Sequence, residues 1–283
     1  MRRGGKVSKH LSKEEIILNK KKSIIQLNNL LESYISRDDK LRKADLISKW
    51  IKDYVNYLNF EEKFNPKRNI AYKRGNIVKV NLGFNLGAEL GGVHYAVVID
   101  NNNKHSSDTI TILPMSSLKD NTKVYERDLL IGSEFYNLVN SKHELRLKNV
   151  RAQYDKLKAL TPSLHALQKL SYSDDYSLEE REHLITDLEN FQSELFKQLG
   201  DLNAEIDILE KNKAEIDMMK TGSIVKLEQI RTISKMRIWI PKTTQDPLYD
   251  ISLSKPTMDK INSKLMELFI FSNNSWLWAY NIV

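Results

Sequence analysis

No cysteine occurs among the 283 residues, which excludes both a disulfide framework and a thiolate metal site. No apolar run approaches the roughly 18 residues needed to cross a bilayer as a helix. The opening residues 1–10 are basic, but Leu11 to Lys22 interleaves charges with apolar residues, so the apolar core of a signal peptide is missing. These absences lead us to expect a soluble cytoplasmic protein with no membrane segment. What is present is an ordinary globular mixture, 41% hydrophobic and 29% charged, well away from the composition of disordered chains.

The formal charge of +7 is unevenly placed. Residues 1–75 hold 19 Lys/Arg against 9 Asp/Glu, and the remainder 25 against 28. A basic N-terminal module attracts either phosphate backbones or an acidic protein partner, and otherwise serves solubility.

Periodicity divides the chain. Residues 12–36 and 39–60 carry helical patterns, the second with Leu46, Ile47, Trp50, Ile51, Tyr54, Val55 and Leu58 on one face, as the 3.6-residue repeat requires. From Asn76 the pattern changes to short β-branched runs at 77–80, 95–99 and 109–113, with a possible fourth at 129–131. Gly-rich and polar turns separate them. From Ser133 to Thr221 helix returns. Ile185, Gln192, Leu199, Ile206 and Lys213 share one heptad position; Leu188, Leu195, Leu202, Leu209 and Ile216 share the one three residues on. Five heptads in register predict a coiled coil. Its upstream arm carries Leu147, Val150, Tyr154, Leu157 and Leu164, and Pro162 with the polar 171–177 stretch predicts a bend between antiparallel arms. At 1.5 Å per residue the downstream arm projects roughly 65 Å. This hairpin is acidic, with 12 basic against 17 acidic residues over 133–222. Strand patterns resume at 223–227 and 237–240, and a last helix over Met258 to Phe271 places Met258, Ile261, Leu265, Leu268 and Phe269 on one face. Strands on both sides make the helical block an insertion.

Four segments carry a resemblance to a known family. Lys73 to Leu82, with Arg74-Gly75-Asn76-Ile77, resembles the opening strand of the MazF/PemK toxins. Gly87-Ala88-Glu89-Leu90-Gly91-Gly92-Val93-His94-Tyr95-Ala96-Val97-Val98-Ile99 is similar to their glycine loop and second strand. Leu113-Pro114-Met115-Ser116-Ser117 resembles their Pro-Leu-Thr-Ser strand end, and Leu227-Glu228-Gln229-Ile230-Arg231-Thr232-Ile233-Ser234-Lys235-Met236-Arg237-Ile238 their Gln-Ile-Arg-Thr-Ile segment. The closing helix with Met258-Asp259-Lys260 is similar too. The resemblance covers about 73–132 and 223–272 and implies an α+β chain. In it a small SH3-like β-barrel core (73–132 and 223–283) follows a basic helical module (1–72) and is interrupted by the antiparallel coiled-coil hairpin (133–222).

Function follows from the same resemblance. It implies a homodimeric toxin-type endoribonuclease that cuts single-stranded RNA without metal or other cofactor and is held in check by a cognate antitoxin or regulatory protein, with growth arrest or phage defence as its role. In this chemistry the 2′-hydroxyl attacks the adjacent phosphate, leaving a cyclic phosphate and a 5′-hydroxyl. It needs a base, an acid and donors to the charged phosphorane. The family's catalytic Arg and Thr map here to His94 and Ser116. Serine keeps the hydroxyl, whereas histidine replaces a permanent forked cation with a titratable group able to act as acid or base. Ala88 stands where the family usually has Ser, and Asn76 where it has an acidic residue.

The remaining candidates each keep an alternative. Glu89 is an acid–base partner or exposed loop decoration. Ser117 competes with Ser116 for the face toward the site. Glu228 and Gln229 read base edges; Arg231 contacts phosphate or sits in a buried ion pair; Lys79 contacts the RNA. Gly83, Gly87, Gly91 and Gly92 form turns, since no P-loop lysine follows them. Trp276 and Trp278 pack or stack on bases. A toxin-fold binding module without catalysis, or an assembly protein built on the hairpin, is the competing reading.

Overall fold

The computed structural model describes residues 11–172 and 177–270. Trp276, Trp278 and most of the expected bend at 171–177 lie outside them. The chain forms two compact units, one of residues up to Glu62 with Gly83–Leu86, the other of Lys63–Leu82 with the chain from Gly87 onward.

The first unit is a helical pair, α1 (Lys13–Ile35) and α2 (Leu41–Glu61). Ser12 caps α1 in a capping box with Glu15, satisfying donors that the first turn leaves open. On α2, Ala44 and Ile47 are buried, and Trp50 stacks obliquely against Tyr54 and Tyr57, with centroids 5.9 and 6.2 Å apart. Gly83 (φ +79°) passes so close that a Cβ there would sit 2.7 Å from the Trp50 ring, a backbone state and a spacing open only to glycine.

The second unit holds seven antiparallel strands: β1 (Ile77–Asn81), β2 (Val93–Val98), β3 (Thr109–Ser117), β4 (Asp128–Gly132), β5 (Ser223–Lys226), β6 (Arg231–Ser234) and β7 (Ile238–Ile240). The order is β4-β5-β3-β2-β1-β7, with β6 also on β3. The two end strands do not pair with each other among the described residues, so the sheet is open there. Alternation along β1 and β2 sends Ile77 and Val97 into one apolar layer, and Val78, Val80, Ala96 and Val98 into a second with Ile110, Ile112 and Ile233.

Between β4 and β5 the chain runs out and back as α3 (Glu134–Lys158), α4 (Thr161–Leu170) and α5 (Leu178–Asp217). Contacts in opposite chain order establish antiparallel arms: Lys213 Nζ donates to Asn140 (3.0 Å), Arg146 pairs with Glu205 (2.7 Å), and Gln168 donates to Gln192 (3.1 Å). The heptad seam is the buried one, with Leu188, Leu195, Leu209 and Ile216 inside. At 40 residues, α5 is about 60 Å long. Pro162 differs from its expected role. It sits in the first turn of α4, where proline costs no hydrogen bond, and the arm resumes beyond it.

The foot of the hairpin is not separate from the sheet. Phe135 and Val139 of α3, with Ile216 and Met219 at the end of α5, belong to the same buried cluster as Ile77, Val97, Leu113, Met115 and Val225. The insertion carries its own apolar seam farther out, but its first and last turns complete the core. The last helix, α6 (Lys255–Phe269), buries Met258 and Ile261, while Phe269, expected on the apolar face, is exposed.

Candidate active site at the parting of two strands

β2 and β3 pair only over Ala96–Val98 and Ile112–Pro114. Proline has no N–H to continue the ladder, and from Met115 the chain pairs with β5 instead, Ser116 opposite Ile224 and Ser117 opposite Ser223. The ends of β2 and β3 thus part, and a cleft of about 160 Å³ opens between them, lined by His94, Ser116, Ser117, Lys220 and Ser223 among others. The structure brings His94, Ser116 and Ser117 to this one cleft.

His94 is half-buried and held through both ring nitrogens. Nδ1 lies 2.9 Å from the Met115 carbonyl oxygen and Nε2 3.1 Å from that of Gly91. A neutral ring donates through one nitrogen only; the imidazolium donates through both. The two contacts hold the ring between the glycine loop and β3. Ser116 is the opposite case. Its Oγ is buried with no hydrogen-bond partner among the described residues, an arrangement that costs about 1–3 kcal/mol. Ser117, next along, is exposed.

The other candidates are occupied elsewhere. Gln229 and Arg231 clamp the glycine loop: the Leu90 N–H donates to Gln229 Oε1 (3.2 Å), and Arg231 donates to the Leu90 carbonyl (3.2 Å) and to Gln229 Oε1 (2.9 Å). Arg231 is therefore not free, and among the described residues it has no ion-pair partner; it bonds backbone and amide. Glu228 faces Arg127 at 3.6 Å on the surface. Glu89 is exposed in the loop and does not line the cleft. Lys79 is half-buried and ion-paired with Glu215 of α5, with its ammonium over the Tyr95 and Trp239 rings. The Tyr95 hydroxyl donates to the same carboxylate at 2.9 Å. Burial, and then the charge of Glu215, push the Tyr95 phenol up from its usual value, so it stays a donor.

Two residues escaped the sequence reading. Lys220, exposed and without a partner among the described residues, lines the cleft from the hairpin's return. No motif marks it, because it lies in the insertion. Lys235 is fully buried, its ammonium donating to the Lys104 carbonyl (3.0 Å) and lying 5.9 Å from the Tyr72 ring. Burial lowers its pKa, against the pull of Asp100 and Asp108. Among the described residues no cluster of His, Asp or Glu has metal-ligand geometry, and no helix is long and apolar enough to cross a membrane.

Residues 73–176 match the family described as PemK-like, MazF-like toxin of type II toxin-antitoxin system. That span takes in β1 to β4 and the outgoing arm of the hairpin, just over a third of the chain, and so includes His94, Ser116 and the parting of β2 from β3. No curated protein matches the sequence. Over residues 73–176 the chain is thus similar to the PemK-like, MazF-like toxins, whose members are generally endoribonucleases.

Proposed function

We propose that this protein is a toxin-type endoribonuclease that cleaves single-stranded RNA in the cleft between β2 and β3, by attack of the 2′-hydroxyl on the adjacent phosphate. The observation that carries this reading is the Ser116 hydroxyl, buried at the cleft with no partner among the described residues. Burying an unpaired donor is costly, and a phosphate oxygen bound there would satisfy it in the state where charge develops. His94, on the neighbouring strand end, supplies a nitrogen for proton transfer once the strand displaces one of its carbonyl contacts. No step requires a metal. The curled sheet is read as the small SH3-like barrel of the family, the paired arms as a coiled coil, and residues 1–72, 73–132 with 223–283, and 133–222 as its three parts. A type II toxin implies a cognate antitoxin and action in the cytoplasm; assembly as a homodimer belongs to the same reading.

The test is incubation of purified, partner-free protein with single-stranded RNA in the presence of a chelator. Cyclic-phosphate and 5′-hydroxyl ends are expected. One observation favours the competing reading of a non-catalytic RNA-binding module: both His94 nitrogens are engaged with backbone carbonyls. Intact RNA that nevertheless binds the protein would establish that alternative.

A further inference from the structure

Cleavage needs a standing positive charge at the phosphate, a task separate from the proton transfer read for His94, whose ring nitrogens rest on two carbonyls. Of the described residues lining the cleft, Lys220 alone is a lysine or arginine. It is exposed and unpaired among the described residues. Its backbone, by contrast, is fixed on both sides. Met219 is buried in the core with Phe135, and Ser223 opens β5 opposite Ser117. One turn earlier, Glu215 accepts from the Lys79 ammonium and the Tyr95 hydroxyl, fastening the end of α5 to β1 and β2. A long cationic side chain thus leaves a rigid base at the mouth of a cleft whose hydroxyl is unsatisfied.

Resting on the ribonuclease reading above, we infer that Lys220 is the phosphate-binding cation of this site. Its ammonium contacts a non-bridging oxygen of the RNA strand in the cleft, with Ser116 donating to the same phosphate. As the bond from the 2′-oxygen to phosphorus forms and the bond to the 5′-oxygen breaks, Lys220 stays protonated and holds the added negative charge, while protons pass through other groups. The hairpin is then part of the active site, because the end of its return arm delivers the charge that the second strand lacks.

The experiment uses the full chain and a single-stranded RNA oligonucleotide, comparing K220A and K220R with wild type and with K211A, a change at an exposed lysine of α5 away from the cleft. K220A is expected to lower kcat/KM by about 10²-fold, the usual effect of removing one transition-state donor, with an unchanged melting temperature; K220R should retain most activity, and K211A all of it. RNA affinity should show a salt slope shallower by about 0.7 in K220A, one phosphate contact on a single strand. An active wild type matched by K220A in rate and in salt slope overturns the assignment of Lys220 alone. A wild type that cuts nothing overturns the ribonuclease reading, and Lys220 is then judged by the affinity data: an unchanged slope in K220A removes it as well.

Discussion

His94 on β2 reaches the Met115 carbonyl on β3 across 2.9 Å, at the point where the ladder between the two strands has already ended. A side chain continues what the backbone stops, and it does so at the rim of the cleft.

From that contact follows the behaviour of His94→Ala. The carbonyls of Met115 and Gly91 lose their partner, a cost of about 1 kcal/mol for a half-buried pair, so the melting temperature should fall modestly. Cleavage measured well below that temperature should drop by roughly 10²-fold if the ring moves a proton. His94→Arg, which restores a forked cation, should recover the stability more fully than the rate. Wild-type cleavage by a folded His94→Ala protein would remove histidine from the mechanism.

The hairpin should be separable only above its foot. Replacing residues 145–206 by a short Gly/Ser turn keeps Phe135, Val139, Ile216 and Met219 in the core, and cooperative unfolding should persist. Replacing everything between Gly132 and Gly222 removes all four. At about 2–5 kcal/mol for each large apolar side chain lost, against a total stability of roughly 5–15 kcal/mol, that protein should not unfold cooperatively. Equal thermal transitions in the two deletions would refute a shared core.

The foot also carries a pH dependence. His143 is 6% exposed and its Nε2 has no partner among the described residues. Burial, followed by the positive charge of Lys213, holds its pKa below the ordinary histidine value, against the smaller pull of Glu144 and Asp217. The unfolded chain therefore binds the proton first, so folded stability is complete above about pH 6.5 and is lost as pH falls below it. Thermal melts from pH 7.5 to 5 should show this decline, and His143→Leu should flatten it. An unchanged slope in that variant would place the acid sensitivity elsewhere.

How much of this was legible in the sequence depends on the kind of signal. The heptads gave the hairpin and its buried seam, and short apolar runs gave β1 to β5 and β7, because both patterns are local. β6 was invisible: Arg231–Ser234 lies between short 3-10 turns at Leu227–Gln229 and Lys235–Arg237, so no run is long enough to show alternation. Motif position located His94, Ser116 and Ser117 together. It did not show that Gln229 and Arg231 bond the Leu90 backbone or that Lys79 pairs with Glu215, because those partners lie far away in sequence. Lys220 had no motif at all, since only the folded hairpin returns it to the cleft.

The most direct measurement compares Ser116→Ala with wild type in cleavage rate and in thermal stability. The Ser116 hydroxyl is buried without a partner among the described residues, so its removal should leave the melting temperature unchanged or slightly raised. Loss of its donation to the phosphate should lower the single-turnover cleavage rate by about 10²-fold. A Ser116→Ala protein that cuts single-stranded RNA at the wild-type rate would contradict the placement of the active site in this cleft.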